Sequence, residues 1–107
     1  MKLVVSILSN KDVANVLSAT SVKGYPSTKI ATRGQFLENG QSTILYGVNE
    51  DKLDDLIDLI EKNITKRVIR KAGVESTIEG SLLNKPVDVE EYGAIVFVIN
   101  VEDFKKL

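Results

Sequence analysis

The chain has 107 residues and nearly balanced charge, 14 Lys+Arg against 15 Asp+Glu for a formal net of -1, enough for one compact domain spanning 1–107 and too short for two ordinary ones. It contains no histidine, cysteine or tryptophan, which removes disulfides, thiolate metal sites and most nucleophile and general-base arrangements. The charge balance gives no electrostatic basis for binding duplex nucleic acid or an anionic membrane, and 43% hydrophobic content fits a soluble globular domain.

Lys2 to Leu8 is a short, nearly continuous apolar run that suits a central strand buried on both faces. It is too short for a signal-peptide core, and no segment approaches the ~20 apolar residues that span a bilayer. No membrane span is expected, and the expected location is the cytoplasm. Ser9 or Asn10 offers a helix N-cap, with Asp12 in the first turn favouring the positive end of the helix dipole. Val13, Val16, Leu17 and Thr20 follow at helical spacing, and Gly24 terminates the pattern.

From Thr28 to Phe36 the period changes to two. Ile30, Thr32 and Phe36 share one face, and Lys29, Arg33 and Gln35 the other. Asn39-Gly40 then predicts a tight hairpin, because both residues tolerate the positive φ of a type I′ turn. Ser42 to Val48 is the return strand, with Ile44, Tyr46 and Val48 on one side. Gly47 inside that strand points to a bulge or to close approach by a ligand or another backbone.

Asn49 caps a second helix that carries Glu50 and Asp51 in its first turn. Leu53, Leu56, Ile57, Ile60 and Ile64 form its apolar stripe, opposed by Asp54, Asp55, Asp58 and Glu61. Lys66 to Lys71 reads either as a short strand or as the ragged end of that helix. Gly73 to Lys85 has no sustained period and predicts a long loop. Pro86 to Glu90 alternates like an exposed strand, and Ala94 to Ile99 reads as a second central strand. The order strand, helix, strand, strand, helix, strand is the split βαβ pattern of an α+β, ferredoxin-like domain: a four-stranded antiparallel sheet with two helices on one face. The other face has no helix to cover it, which favours self-association.

Little generic chemistry accompanies this pattern. Asp51, Asp54, Asp55 and Asp58 follow the outer face of a helix and are not gathered by a loop as calcium ligands are. The basic residues Lys62, Lys66, Arg67, Arg70 and Lys71 suit a helix C-terminus and a solvated strand edge, or an anion-attracting surface. They lack the interleaved aromatics of a single-strand nucleic-acid platform. Thr28 and Gly47 permit a hydroxyl and a bare backbone N–H to meet a phosphate or base edge. The bland alternative is that the glycines only relieve sheet geometry.

The run TKIATRGQFLENGQSTILYGV (Thr28 to Val48), the opening MKLVVSIL and the closing PVDVEEYGAIVFVINVEDF resemble the PII-like cyclic-di-AMP receptors of Gram-positive bacteria, in register along essentially the whole chain. The resemblance implies a homotrimer with a cyclic dinucleotide in each cleft between subunits, no catalytic activity, no cofactor or metal, and signal relay through loop movement to an unidentified protein target. Carried over by position, Thr28 matches a threonine that hydrogen-bonds a phosphate. Phe36 and Leu37 match apolar residues bordering an adenine, and Gly47 a glycine whose backbone meets the ligand. Phe97 matches an aromatic supplied by the adjacent subunit, and Gln41 stands where an asparagine reads the adenine edge.

The resemblance also has departures. Pro26 replaces an arginine near a phosphate, Gln35 a glycine, and Lys106 a C-terminal glutamine from the neighbour. Losing a charge-assisted contact costs roughly 1.5–3 kcal/mol, or about one to two decades in affinity. Gln41 keeps the amide but adds a methylene and rotamer entropy. Lys106 returns one positive charge as a flexible point charge without the arginine fork. Two functional expectations follow: a cyclic-di-AMP sensor, and a diverged adaptor with weak or altered nucleotide binding that acts through its loops. A small enzyme on this scaffold is the third and weakest, since fold alone does not exclude it but the residue inventory argues against it.

Overall fold

The computed structural model describes residues 1–35, 40–65, 67–71 and 87–107, with residues 67–71 and 87–91 described by backbone alone. The elements in chain order are β1 (Lys2–Ser9), α1 (Val13–Val22), β2 (Ser27–Thr32), β3 (Gln41–Val48), a short 3₁₀ turn (Glu50–Lys52), α2 (Leu53–Lys62), β4 (Arg67–Lys71), β5 (Val87–Glu91) and β6 (Ala94–Asn100). Strands β2-β3-β1-β6 form an antiparallel sheet in that spatial order, and β4 pairs with β5 in a separate two-stranded ribbon. The architecture is ferredoxin-like, with the ribbon inserted between α2 and β6.

The two sheet faces separate cleanly by register. Val4, Ser6 and Leu8 of β1 stand beside Tyr46, Ile44 and Ser42 of β3 and beside Val98, Val96 and Ala94 of β6. Both helices cover this face: Val13 and Val16 of α1 and Leu56 and Ile60 of α2 complete a buried cluster with Val4, Leu8, Ile44, Tyr46 and Val48. Burying such side chains contributes about 1.5–3 kcal/mol each, the main favourable term in the fold. The polar groups within it are paired. Thr20 Oγ1 lies 3.0 Å from the Tyr46 hydroxyl and 2.9 Å from the Val16 carbonyl, and Ser6 Oγ donates to the Ile44 carbonyl at 2.9 Å. Burial pushes the Tyr46 phenol up, partly offset by its hydrogen bond to Thr20.

Several expectations need correction. β6 is an edge strand of this sheet, not a central one, because β1 and β3 take the central places. On the helix face its Ala94 and Val96 pack against the core, while Phe97, Val98 and Ile99 remain 45%, 43% and 47% exposed. Of the turn expected at Asn39-Gly40, Gly40 is described and has the positive φ, 84°, that such a turn uses. Thr32 pairs with Gln41, leaving residues 33–40 as the connection between β2 and β3. Asn39 itself, with Phe36, Leu37 and the expected loop 73–85, lies outside the described residues. Gly47 sits in an unbroken register opposite Leu3, so β3 carries no bulge there.

Helix ends differ from expectation by small shifts with clear causes. Asp12 is the residue before α1 and makes no side-chain cap. Its buried carboxylate instead accepts from Thr65 N at 3.1 Å and Thr65 Oγ1 at 3.0 Å, joining the start of α1 to the end of α2. Asn49 precedes the 3₁₀ turn without a side-chain cap, and α2 begins after that turn. Gly24 ends α1 as expected, with φ of 84°. Its amide donates to the Ser21 carbonyl at 2.9 Å and that of Tyr25 to the Thr20 carbonyl at 3.0 Å, the paired closure of a Schellman motif.

Candidate functional site

On the face without helices, β1 presents Leu3, Val5, Ile7 and Ser9, and β3 presents Gln41, Thr43, Leu45 and Gly47. The same registers bring Thr28, Ile30 and Thr32 from β2 and Ile95, Phe97 and Ile99 from β6 to this face. Four candidate residues, Thr28, Gln41, Gly47 and Phe97, therefore share the open face. Phe36 and Leu37 fall outside the described residues.

The four do not converge on one point within a subunit. Thr28 and Gly47 line one cavity of about 600 Å³ together with Met1, Leu3, Pro26, Leu45, Phe104 and Lys106. The tail reaches this place because Val101 N donates to the Met1 carbonyl at 3.1 Å, which lays the segment after β6 beside the start of β1. Gln41 lies at the opposite end of β3, about 20 Å from Gly47 at the usual rise per strand residue. It is buried, with its amide against Gly34: a Cβ on Gly34 would stand 2.9 Å from Gln41 Nε2. Phe97 lies on the edge strand opposite Val5.

The cavity's chemistry is specific in two respects. Its described lining includes Lys106, Ser27 and Thr28 but no acidic residue, which suits an anion. Its walls of Leu3, Leu45 and Phe104 suit a flat apolar group. Gly47 forms part of the wall as bare backbone. An added Cβ would meet only Met1 Sδ, at 3.7 Å, an ordinary contact. The subunit does not need a glycine here for packing within the chain.

A second cavity of about 600 Å³ lies behind the first and shares Pro26 and Gly47 with it. Lys23, Asp51, Lys52 and Asp55 line it, so its charge is mixed. Across it the Tyr25 hydroxyl donates to Asp55 Oδ2 at 2.5 Å. This hydrogen bond is the first cause that pushes the Tyr25 phenol up to about 12. The other carboxylates of α2, Asp54, Asp58 and Glu61, are exposed, and Asp58 pairs with Lys62 at 2.7 Å. No described helix is long and apolar enough to cross a membrane.

Sequence reasoning missed Tyr25, Phe104 and the placement of Lys106. The signal for Tyr25 was its position between the helix-ending Gly24 and the rigid Pro26. Asp55 was hidden by its place among the solvated carboxylates of α2. Lys106 was expected to act from a neighbouring subunit, whereas it lines the cavity of its own.

A family model described as "Cyclic-di-AMP receptor" matches residues 1–107, the whole chain. Among solved structures, a functionally unknown protein from Pediococcus pentosaceus ATCC 25745 is similar with a TM-score of 0.72 at 25% identity, over 99% of this chain and 96% of its own.

Proposed function

The chain belongs to the cyclic-di-AMP receptor family, and from that premise we propose that it is a PII-like signalling protein that holds cyclic di-AMP in clefts between the subunits of a homotrimer. The observation that carries this reading is the cavity on the open face. It joins Thr28, bare Gly47 backbone and the basic residue Lys106 to apolar walls, a combination suited to a phosphate attached to a flat base. In this reading the Thr28 hydroxyl donates to a phosphate and the Gly47 backbone approaches the ligand closely. Phe36 and Leu37 border an adenine, and Phe97 comes from the adjacent subunit. The ligand is a signal and not a cofactor, and no metal or catalytic step is involved.

The trimer supplies what one subunit lacks. Phe97 and Ile99 on the open face of the edge strand leave apolar surface exposed, and packing the open faces around a threefold axis would remove it from water. It would also bring Phe97 of one subunit toward the Thr28–Gly47 cavity of another. Nucleotide occupancy would then be relayed through loop movement to a protein target, in a cytoplasmic setting.

A second reading, a diverged adaptor with weak or altered nucleotide binding, rests on two features of this chain. Pro26 occupies the cavity wall without a charge, and the Gln41 side chain is buried against Gly34. Calorimetric titration of Thr28→Ala and Phe97→Ala tests the first reading. Thr28→Ala should weaken cyclic di-AMP binding by roughly 1–2 kcal/mol, the scale of one hydrogen bond to a charged group. Phe97→Ala should weaken it while Thr28 remains in place. Unaltered affinity in both variants would contradict the assignment.

A further inference from the structure

Tyr25 ties together three elements that meet behind the open-face cavity. Its backbone closes the C-terminus of α1 on the Thr20 carbonyl, and its ring packs against the buried cluster. Its hydroxyl donates to Asp55 of α2 at 2.5 Å and lies 3.5 Å from the Lys52 carbonyl. Pro26 follows immediately, with φ fixed by its ring, and β2 begins at Ser27. Pro26 and Gly47 form a wall common to both cavities, with Thr28 on one side and the Tyr25–Asp55 pair on the other.

We propose that Tyr25 is a positioning residue for the nucleotide site: its hydrogen bond to Asp55 fixes the entry of β2 and so presents Thr28 to the cavity without touching the ligand. The inference rests on the cyclic-di-AMP reading given above and adds a residue pair that acts behind the wall. The physical basis is preorganisation. β2 is an edge strand held by β3 alone, and its first residues are exposed, so the tie at Tyr25 anchors the chain immediately before them. A ligand that needs Thr28 in place binds more weakly in proportion to the fraction of time the entry is out of place.

The test compares the parent protein with Tyr25→Phe, Asp55→Ala, Asp55→Asn and the double variant Tyr25→Phe/Asp55→Ala. Tyr25→Phe keeps the ring and its packing, so the fold should persist. Ultraviolet titration should show the transition near 12 move down toward the ordinary phenol range in Asp55→Ala, proving the contact in solution. Amide exchange at residues 27–29 should accelerate in Tyr25→Phe and Asp55→Ala and stay closer to parent in Asp55→Asn, which retains an acceptor. In calorimetry the same two variants should bind cyclic di-AMP about three- to tenfold more weakly, with the double variant no worse than either single one.

Unchanged exchange at residues 27–29 overturns the tie whether or not ligand binds. Faster exchange with unchanged affinity overturns the positioning role. Additive losses in the double variant show that the two residues act separately, and overturn it as well. If the parent protein fails to bind cyclic di-AMP, the nucleotide reading falls and the positioning role falls with it. Exchange then decides only whether the tie orders β2.

Discussion

Gly47→Val separates the ligand site from the fold more sharply than any other single change. An added Cβ would meet only Met1 Sδ, at 3.7 Å, so the side chain enters open space on the exposed face of β3. The register there is unbroken, and the conformation is not one reserved for glycine. Glycine is a poor strand residue and valine a good one, a difference of up to about 1 kcal/mol in strand propensity. The subunit should therefore be unharmed or slightly stabilised, by up to roughly 4–8 °C in Tm for a domain near this size. The isopropyl group would nevertheless fill the wall between Pro26 and Thr28, where the proposed site brings the Gly47 backbone against the ligand. Thermal unfolding by circular dichroism and calorimetric titration with cyclic di-AMP, run on the same sample, measure the two effects separately. The expected result is an intact or raised Tm with binding lost. Normal binding would place the ligand elsewhere, and a fall of several degrees would refute the argument that position 47 faces open space.

Three further outcomes follow from the same features. Multi-angle light scattering at micromolar concentration should give the mass of three subunits, since the open face and β6 leave Phe97, Val98 and Ile99 exposed; a monomer contradicts that argument. Pro26→Arg with Gln41→Asn should tighten cyclic di-AMP binding by about one decade or more through a restored charge-assisted contact, whereas unchanged affinity would show that these positions are not what weakens it. The neutral Tyr25 hydroxyl is the form favoured by folding, because its pKa is raised from 10.0 to about 12 by the hydrogen bond to Asp55. Its contribution to stability is then complete below 10.0 and lost as pH rises through about 12. The stability gap between parent and Tyr25→Phe in urea should close over that range, and a gap that stays constant would deny the contact.

The helical stripes were legible because 3.6-residue spacing leaves little choice of face. Val13, Val16 and Thr20 of α1 and Leu56 and Ile60 of α2 are buried as their spacing required. The alternation in β3 was equally clear, with Ile44, Tyr46 and Val48 turned to the core. β6 was misplaced because a strand apolar on both faces reads the same at the edge of a sheet as at its centre. Local turn preference at Asn39-Gly40 says nothing about which residues of the two strands pair, and the sheet sets Thr32 against Gln41. The site was legible in part. Thr28 and Gly47 share a cavity, and the separation of Gln41 from Gly47 was already readable from their spacing along one strand. No local signal could show that Tyr25 reaches a carboxylate thirty residues later. Contacts of that kind come from the packing of α2 against the end of α1, which no periodicity encodes.

Direct calorimetric titration of the purified protein with cyclic di-AMP, with ATP and cyclic di-GMP as controls, tests the central claim. Saturable binding of cyclic di-AMP is expected at one molecule per subunit, with much weaker or no binding of the two controls. No binding at high ligand concentration, or equal binding of all three nucleotides, would contradict it.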